Sequence, residues 1–372
     1  MRRLVSIIAA LAVALLATAP AQAQAPVPDD PRAVSPGAAN PIAGQPLFVD
    51  PVEPSWKHWR SFRNRGKKGS AARLWTIAQQ PKFRWFGRFT HNVTKTVHAY
   101  TARARRRGAV PLIASMRHQG KECHPGYTGG GPAEDARTRK WYRRFARAIG
   151  RRRAIVAFEP DSLGTIECLA KFRRKSRYEL LRYGVERLAR LPNTTVYIEA
   201  GASDWQSAPR MARKLRLVGV AKVRGFMLNV THHDWTQNNV RYGARLSKLL
   251  GGKHFIVNTA SNGRGPVYYR KRIGGRNRRV TVWCHPLYRG LGLAPTTQTS
   301  DPRADAYLWI SRPGYSSGGC NGGPARAGDW WPRRALGLAR WATDWIRPPR
   351  GTRFGHPRGS LSLREVAGDQ LR

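Results

Sequence analysis

Residues 154–163 read Ala154-Ile155-Val156-Ala157-Phe158-Glu159-Pro160-Asp161-Ser162-Leu163. A short run that is apolar on both faces and then meets polar residues reads as a strand buried from both sides, as in parallel sheets. Similar runs recur at 46–50, 83–87, 110–115, 154–161, 195–199, 225–229, 254–258 and 306–311, each ending in a polar or small residue. Amphipathic stretches of helical length lie between most of them, such as 133–149, 176–191 and 239–250. Seven or eight strand–helix units in about 300 residues fit a closed, TIM-like β/α barrel better than an open sheet. No glycine-rich phosphate loop follows the first strand, which counts against a nucleotide-binding sheet. In a barrel the carboxyl ends of the strands face the active-site mouth. That rule selects Asp50, Glu122 (in the loop after its strand), Asp161, Glu199, Asn229 and Asn258.

Composition narrows the function. The 372 residues carry 67 Lys+Arg against 21 Asp+Glu, a formal charge of +46, with 41% hydrophobic residues and 13 Trp. The apolar content excludes a disordered polyelectrolyte. The charge predicts non-specific adhesion to anionic polymers at low salt. Basic runs at 105–107, 151–153 and 271–279 are scattered and form no nucleic-acid motif, so they are expected to sit on solvated helix faces. No specific nucleic-acid partner is expected. With so few acids, each carboxylate carries more information than usual.

The N-terminus has a basic start, an apolar stretch from Leu4 to Ala17 and a small-x-small site at Ala21-Gln22-Ala23. This is the pattern of a secretory signal peptide over 1–23, with an uncleaved anchor as the alternative. A Pro/Ala/Gly-rich linker over 24–44, a catalytic barrel over 45–348 and a basic tail over 349–372 complete the expected organisation. No later apolar run approaches the roughly 20 residues a membrane helix needs. In an exported protein Cys123, Cys168, Cys284 and Cys320 favour two disulfides, and the absence of Cys-x-x-Cys and His-x-x-x-His weakens a zinc reading. Three pairings are possible; nearest-neighbour pairing is expected, because each bridge would tie down one loop-rich segment. His91, His232 and His233 read as loop or surface residues rather than ligands, and no Gly-x-Ser-x-Gly elbow supports a serine hydrolase.

Glu122, Asp161 and Glu199 place three acids in successive loops, with Trp85, Trp205, Trp235 and Trp283 in or beside them. Converging acids suit glycoside hydrolysis, in which one protonates the leaving oxygen while another handles water. By spacing alone Trp85 and Trp283 fit a core equally well. The acids likewise fit ion pairs with the many arginines.

The run Glu159-Pro160-Asp161-Ser162-Leu163 resembles the signature of glycoside hydrolase family 6, the inverting cellobiohydrolases and endo-β-1,4-glucanases. Further resemblances are Leu47-Phe48-Val49-Asp50-Pro51, Gly225-Phe226-Met227-Leu228-Asn229-Val230, Gly251-Gly252-Lys253-His254-Phe255, Asp305-Ala306-Tyr307-Leu308-Trp309 and Cys320-Asn321-Gly322-Gly323-Pro324 with Trp330-Trp331-Pro332. The resemblance implies a distorted parallel barrel, nearest-neighbour disulfides, no cofactor or metal, and a β-glucan as partner. The short cysteine spans resemble the open-cleft endoglucanases. Carried over by position, Asp161 is the general acid, and Glu122 takes the place of an aspartate that tunes the acid and orients water. Glu199 replaces another aspartate. Trp85, Trp205 and Trp283 match sugar-stacking tryptophans, and Asn229, Tyr315 and Ser317 fall on substrate-binding positions.

The departures cluster in one loop. The family's Lys-x-Pro-Gly-Glu-Ser-Asp-Gly appears as Ser311-Arg312-Pro313-Gly314-Tyr315-Ser316-Ser317-Gly318, so lysine, glutamate and aspartate have become Ser311, Tyr315 and Ser317. Met116 stands where the family has a tyrosine. A serine does not accept a proton at neutral pH without another base. The expected function is a secreted, monomeric β-1,4-glucanase; the alternative is a carbohydrate-binding member of the same fold with impaired catalysis.

Overall fold

A computed structural model describes residues 39–124 and 127–344. The signal peptide read over 1–23 and the basic tail read over 349–372 lie outside the described residues. The strands are β1 Arg84–Gly87, β2 Leu112–Met116, β3 Ala154–Phe158, β4 Thr194–Glu199, β5 Gly225–Leu228, β6 His254–Asn258, β7 Tyr268–Ile273, β8 Arg276–Thr281 and β9 Ala304–Leu308. The helices are α1 Pro54–Asn64, α2 Lys68–Ala78, α3 Val93–Arg106, α4 Pro132–Ile149, α5 Lys171–Ala189, α6 Ala208–Leu217, α7 Thr236–Leu249 and α8 Pro332–Arg340. Seven strands form one parallel sheet in the order β1-β2-β3-β4-β5-β6-β9. The sheet curls into a distorted half-barrel. Its edges meet through a single bridge, Lys82 to Trp309, and the Trp85 Nε1–H donates to the Ile310 carbonyl at 2.8 Å.

Strand alternation splits the apolar residues into two cores. Leu112, Ala114, Ile155, Ala157, Tyr197, Met227, Ile256, Ala306 and Leu308 fill the barrel interior. Their neighbours Ile113, Val156, Phe158, Ile198, Phe226 and Val257 face the helices. This two-sided burial is why the strands read as continuous apolar runs. Local signals set the helix starts: Asn92 caps α3 by accepting from the Lys95 N–H at 3.0 Å, and Pro132 opens α4 with Glu134 and Asp135 in its first turn.

Four departures from the sequence reading have physical causes. Residues 46–50 make one bridge, Leu47 to Val110, rather than a strand, because Pro46 and Pro51 have no N–H with which to extend the ladder; Asp50 forms ion pairs with Arg84 and Arg103, both at 3.1 Å. The end of the expected linker belongs to the barrel: Ile42 is buried in the interior core and Asn40 donates to the Asp305 carbonyl at 2.7 Å. Helix α5 begins at Lys171, ahead of 176, since its first turn is basic and solvated and shows no apolar period. The basic run 271–279 lies not on a helix face but in an antiparallel ribbon, β7–β8, turned by Gly274-Gly275 with both φ positive. Among the described residues no helix is long and apolar enough to cross a membrane.

Candidate active site

The mouth of the barrel is built where β3 ends. Glu159 and Asp161, on either side of Pro160, have φ of 56° and 70°. Non-glycine residues rarely adopt this left-handed region, and such strain concentrates at functional sites. The turn sends the two carboxyls to different environments. Glu159 is buried and accepts from the backbone N–H groups of Arg117 (2.7 Å) and His118 (2.8 Å), with the His118 Nδ1 at 2.9 Å. Burial opposes its ionisation, but these donors outweigh burial and hold it below the usual carboxylate range. Asp161 is half-buried and accepts from the Tyr127 hydroxyl at 3.0 Å and the Thr231 hydroxyl at 2.6 Å. No arginine or lysine forms an ion pair with it among the described residues.

Glu199, at the end of β4, lies behind that turn. Its Oε2 accepts from the N–H groups of Leu163 (2.7 Å) and Gly164 (3.1 Å), and its Oε1 from that of Gly201 (2.6 Å). Burial first, and then the negative charge of Asp161, push its carboxyl up to about 7. Its contacts are with backbone, so it positions the 161–164 turn from beneath.

The other expected residues separate into groups. Glu122 is exposed and ion-paired with Arg173 at 2.9 Å; it makes no hydrogen bond to Asp161. Asn229 is fully buried and bonds to Asn258 and Asp234 backbone groups, while Asn258 accepts from the Ile310 and Ser311 N–H groups. These two asparagines lace the tops of β5, β6 and β9 together. Asp50 serves the Arg84–Arg103 pair described above. Trp85 closes the barrel seam. Trp205 is half-buried, with the His232 ring stacked on it at 4.7 Å and 18°. A Cβ at Gly164 would come within 2.3 Å of its indole. Trp283 is 40% exposed and meets the His124 ring edge at 6.0 Å. Tyr315 stacks beneath the Arg312 guanidinium at 3.7 Å and lines a cavity of about 160 Å³ with Asp50, Glu53, Arg84 and Arg312. Asp161 is not part of that lining. Ser317 is exposed; its N–H donates to the His285 Nε2 at 2.8 Å, and its carbonyl accepts from His124, which feels the charge of Asp161.

Both disulfides form as expected, Cys123–Cys168 and Cys284–Cys320. The first joins the loops after β2 and β3, the second the segment after β8 to Cys320, two residues past the 311–318 loop. Cys284, His285 and Cys320 lie close together, but both cysteines are committed to the disulfide.

Several residues at the mouth escaped the sequence reading. Tyr127 and Thr231 hold Asp161, and no periodicity marks either. His232, expected at a surface or in a loop, is a buried loop residue whose Nδ1 lies 2.8 Å from Asp204. The second Asp204 oxygen accepts from the hydroxyls of Thr281 (2.8 Å) and Tyr268 (3.3 Å). Burial opposes charging of His232, yet Asp204, Asp161 and Asp234 together raise it above the ordinary imidazole value. His233 is also buried, between the carbonyls of Ser261 and Trp283.

The sequence profile described as Glycosyl hydrolases family 6 matches residues 42–342. Endoglucanase A of Cellulomonas fimi is 33% identical over 297 residues, 79% of this chain and 61% of that protein's length. Endoglucanase 1 of Streptomyces halstedii is 31% identical over 90% of this chain and 97% of its own. Among solved structures, the endoglucanase Cel6 from Mycobacterium tuberculosis, in complex with a methyl-cellobiosyl-thio-cellobioside, superposes with a TM-score of 0.72 at 36% identity, covering 81% of this chain and 99% of that one.

Proposed function

Because the chain belongs to the glycosyl hydrolases of family 6, we propose that it is a secreted β-1,4-glucanase of the endo type, inverting, with Asp161 as general acid. The observation that carries this reading is the Asp161 carboxyl itself. It projects from a left-handed turn, is held by two hydroxyls and, among the described residues, forms no ion pair with an arginine or lysine, while the nearby His232 imidazole is paired with Asp204. An adjacent cation would favour the ionised form and disable an acid. Protonation of the glycosidic oxygen by Asp161 releases the leaving sugar while water attacks the anomeric carbon from the opposite face. Glu199, protonated up to about pH 7, keeps a proton within the same turn. Glu122 takes the water-orienting position only by its resemblance, since its carboxylate is ion-paired with Arg173, and Trp205 and Trp283 offer ring faces to pyranoses. The two disulfides and the expected export signal support secretion.

A carbohydrate-binding role with little turnover is the second reading. It is favoured by the carboxylate-free loop Ser311–Gly318 together with the Glu122–Arg173 pair, which leave no strongly placed base. The deciding experiment measures reducing ends from swollen cellulose, mixed-linkage β-glucan and cello-oligosaccharides, in salt, beside Asp161→Asn. Glucanase activity that falls by about 10²–10⁴-fold in the variant establishes the enzyme and its acid. Saturable oligosaccharide binding without turnover in either protein establishes the second reading. Neither activity nor binding refutes both.

A further inference from the structure

We propose that the β7–β8 ribbon is a binding arm for carboxylate-bearing polysaccharide, placed at the edge of the cleft. Between Tyr268 and Thr281 it carries Arg270, Lys271, Arg272, Arg276, Arg278 and Arg279 and no acid. The register sets Arg270 opposite Arg279 and Lys271 opposite Arg278. Like charges directly opposite each other destabilise a strand pair, so the ribbon holds a charge pattern that its own fold disfavours. With 67 Lys+Arg against 21 Asp+Glu most cations of the chain have no carboxylate to meet, and only some arginines do: Arg84 and Arg103 on Asp50, Arg173 on Glu122, Arg224 on Asp305. Arg270, Lys271, Arg272, Arg276 and Arg278 are exposed and have no ion pair among the described residues. Arg279 lies over the Tyr268 ring at 4.2 Å. A bound polyanion would supply the missing counter-charge.

Its anchorage points the arm at the cleft. Tyr268 and Thr281, paired at its base, both donate to Asp204, the residue before Trp205 and the partner of His232. Tyr268, Arg270, Arg272 and Arg279 share one face of the ribbon by strand parity. Two residues beyond β8 stands the exposed Trp283. A glycan lying on Trp283 therefore passes beside a row of cations.

Five of the six cations are arginines, whose planar fork matches a carboxylate in two parallel hydrogen bonds. The ribbon's two aromatics offer no bare ring, since Tyr268 lies under the Arg279 guanidinium and Tyr269 is buried. Binding of single-stranded nucleic acid relies on a series of stacked bases, for which the ribbon itself offers no open ring and Trp283 offers one. Uronate-type carboxylates are thus the better fit. The polysaccharide half of this inference rests on the glucanase reading of the cleft; the anion half rests on the ribbon alone.

The test uses the full chain and compares two quadruple variants that remove the same charge. One is Arg270→Ser, Arg272→Ser, Arg279→Ser and Arg276→Ser, three of them on the face shared with Tyr268. The other is Arg105→Ser, Arg106→Ser, Arg107→Ser and Arg151→Ser, at exposed positions by the opposite, amino-terminal ends of the strands. Affinity electrophoresis in polygalacturonate, hydroxyethyl-cellulose and single-stranded DNA, at about 50 mM salt, reads binding without requiring turnover. With exposed ion contacts worth up to about fivefold each, the ribbon variant is expected to lose at least about tenfold in polygalacturonate affinity, and the control less than about threefold. Neither changes on the neutral polymer. A four-lysine version of the ribbon, which keeps the charge and checks folding, is expected to recover most of the loss. Equal losses in both variants would overturn the proposal in favour of diffuse charge, and an unchanged ribbon variant would overturn it outright. A larger loss on DNA than on polygalacturonate would refute the partner class. If the wild type cleaves no glucan yet the ribbon variant alone loses polygalacturonate, the glucanase reading fails and the anion site stands.

Discussion

Replacing Glu199 with glutamine separates two effects of its carboxyl, as an acceptor for three backbone donors and as a buried titrating group. The amide keeps one oxygen. With that oxygen facing Leu163 and Gly164, the NH₂ group confronts the Gly201 N–H and leaves one buried donor unpaired, a loss of about 1–3 kcal/mol. Titration acts in the other direction. The carboxyl rises from 4.5 to about 7 on folding, so the native state binds its proton more tightly than the unfolded chain does. Stability from this source is fully present below about pH 4.5 and is lost as pH rises through about 7; the span of about 2.5 pH units corresponds to about 3 kcal/mol. Glutamine does not titrate and escapes that loss. Glu199→Gln is therefore expected to be about 1–3 kcal/mol less stable than wild type at pH 4, and equal or slightly more stable at pH 8. Denaturant unfolding of both proteins with disulfides intact, at pH 4, 6 and 8, measures the difference. A stability gap that stays the same across this range refutes the argument, because it would mean Glu199 titrates alike in the folded and unfolded chains.

Other outcomes follow from the same geometry. Tyr127→Phe removes one of the two donors to Asp161 and is expected to lower kcat about tenfold, while the melting temperature changes little. Gly164→Ala brings a Cβ within 2.3 Å of the Trp205 indole; the ring must shift, and KM for cello-oligosaccharides is expected to rise more than kcat falls. Removal of either disulfide by paired Cys→Ser changes frees a loop spanning 45 or 36 residues, for an expected stability loss of about 4 kcal/mol each, read by denaturant unfolding.

Much of the fold was legible in local patterns. The run through Phe158 announced a two-sided strand because its alternate residues enter different cores, Ile155 and Ala157 inside and Val156 and Phe158 outside. Strand ends located Asp161 and Glu199 at the mouth, since the rule that loops after parallel strands build the site depends only on topology. The ribbon was misread because its strands are exposed on both faces over most of their length and carry charge where a half-buried strand would alternate.

Roles at the mouth were set by contacts between residues far apart in the chain. Asn229 and Asn258 occupy strand-end positions as Asp161 does, yet their side chains are consumed by backbone groups that only the packed loops bring within reach. Tyr127 and Thr231 reach Asp161 across 34 and 70 residues, and Asp204 reaches His232 across 28. Glu122 stands beside the disulfide that draws the β2 and β3 loops together, but Arg173 on α5 takes its carboxyl. Periodicity records which face of the sheet a side chain occupies, a choice made within a few residues. Which donor, ring or cation then meets that side chain depends on how separate loops close over one another, and tertiary packing alone decides it.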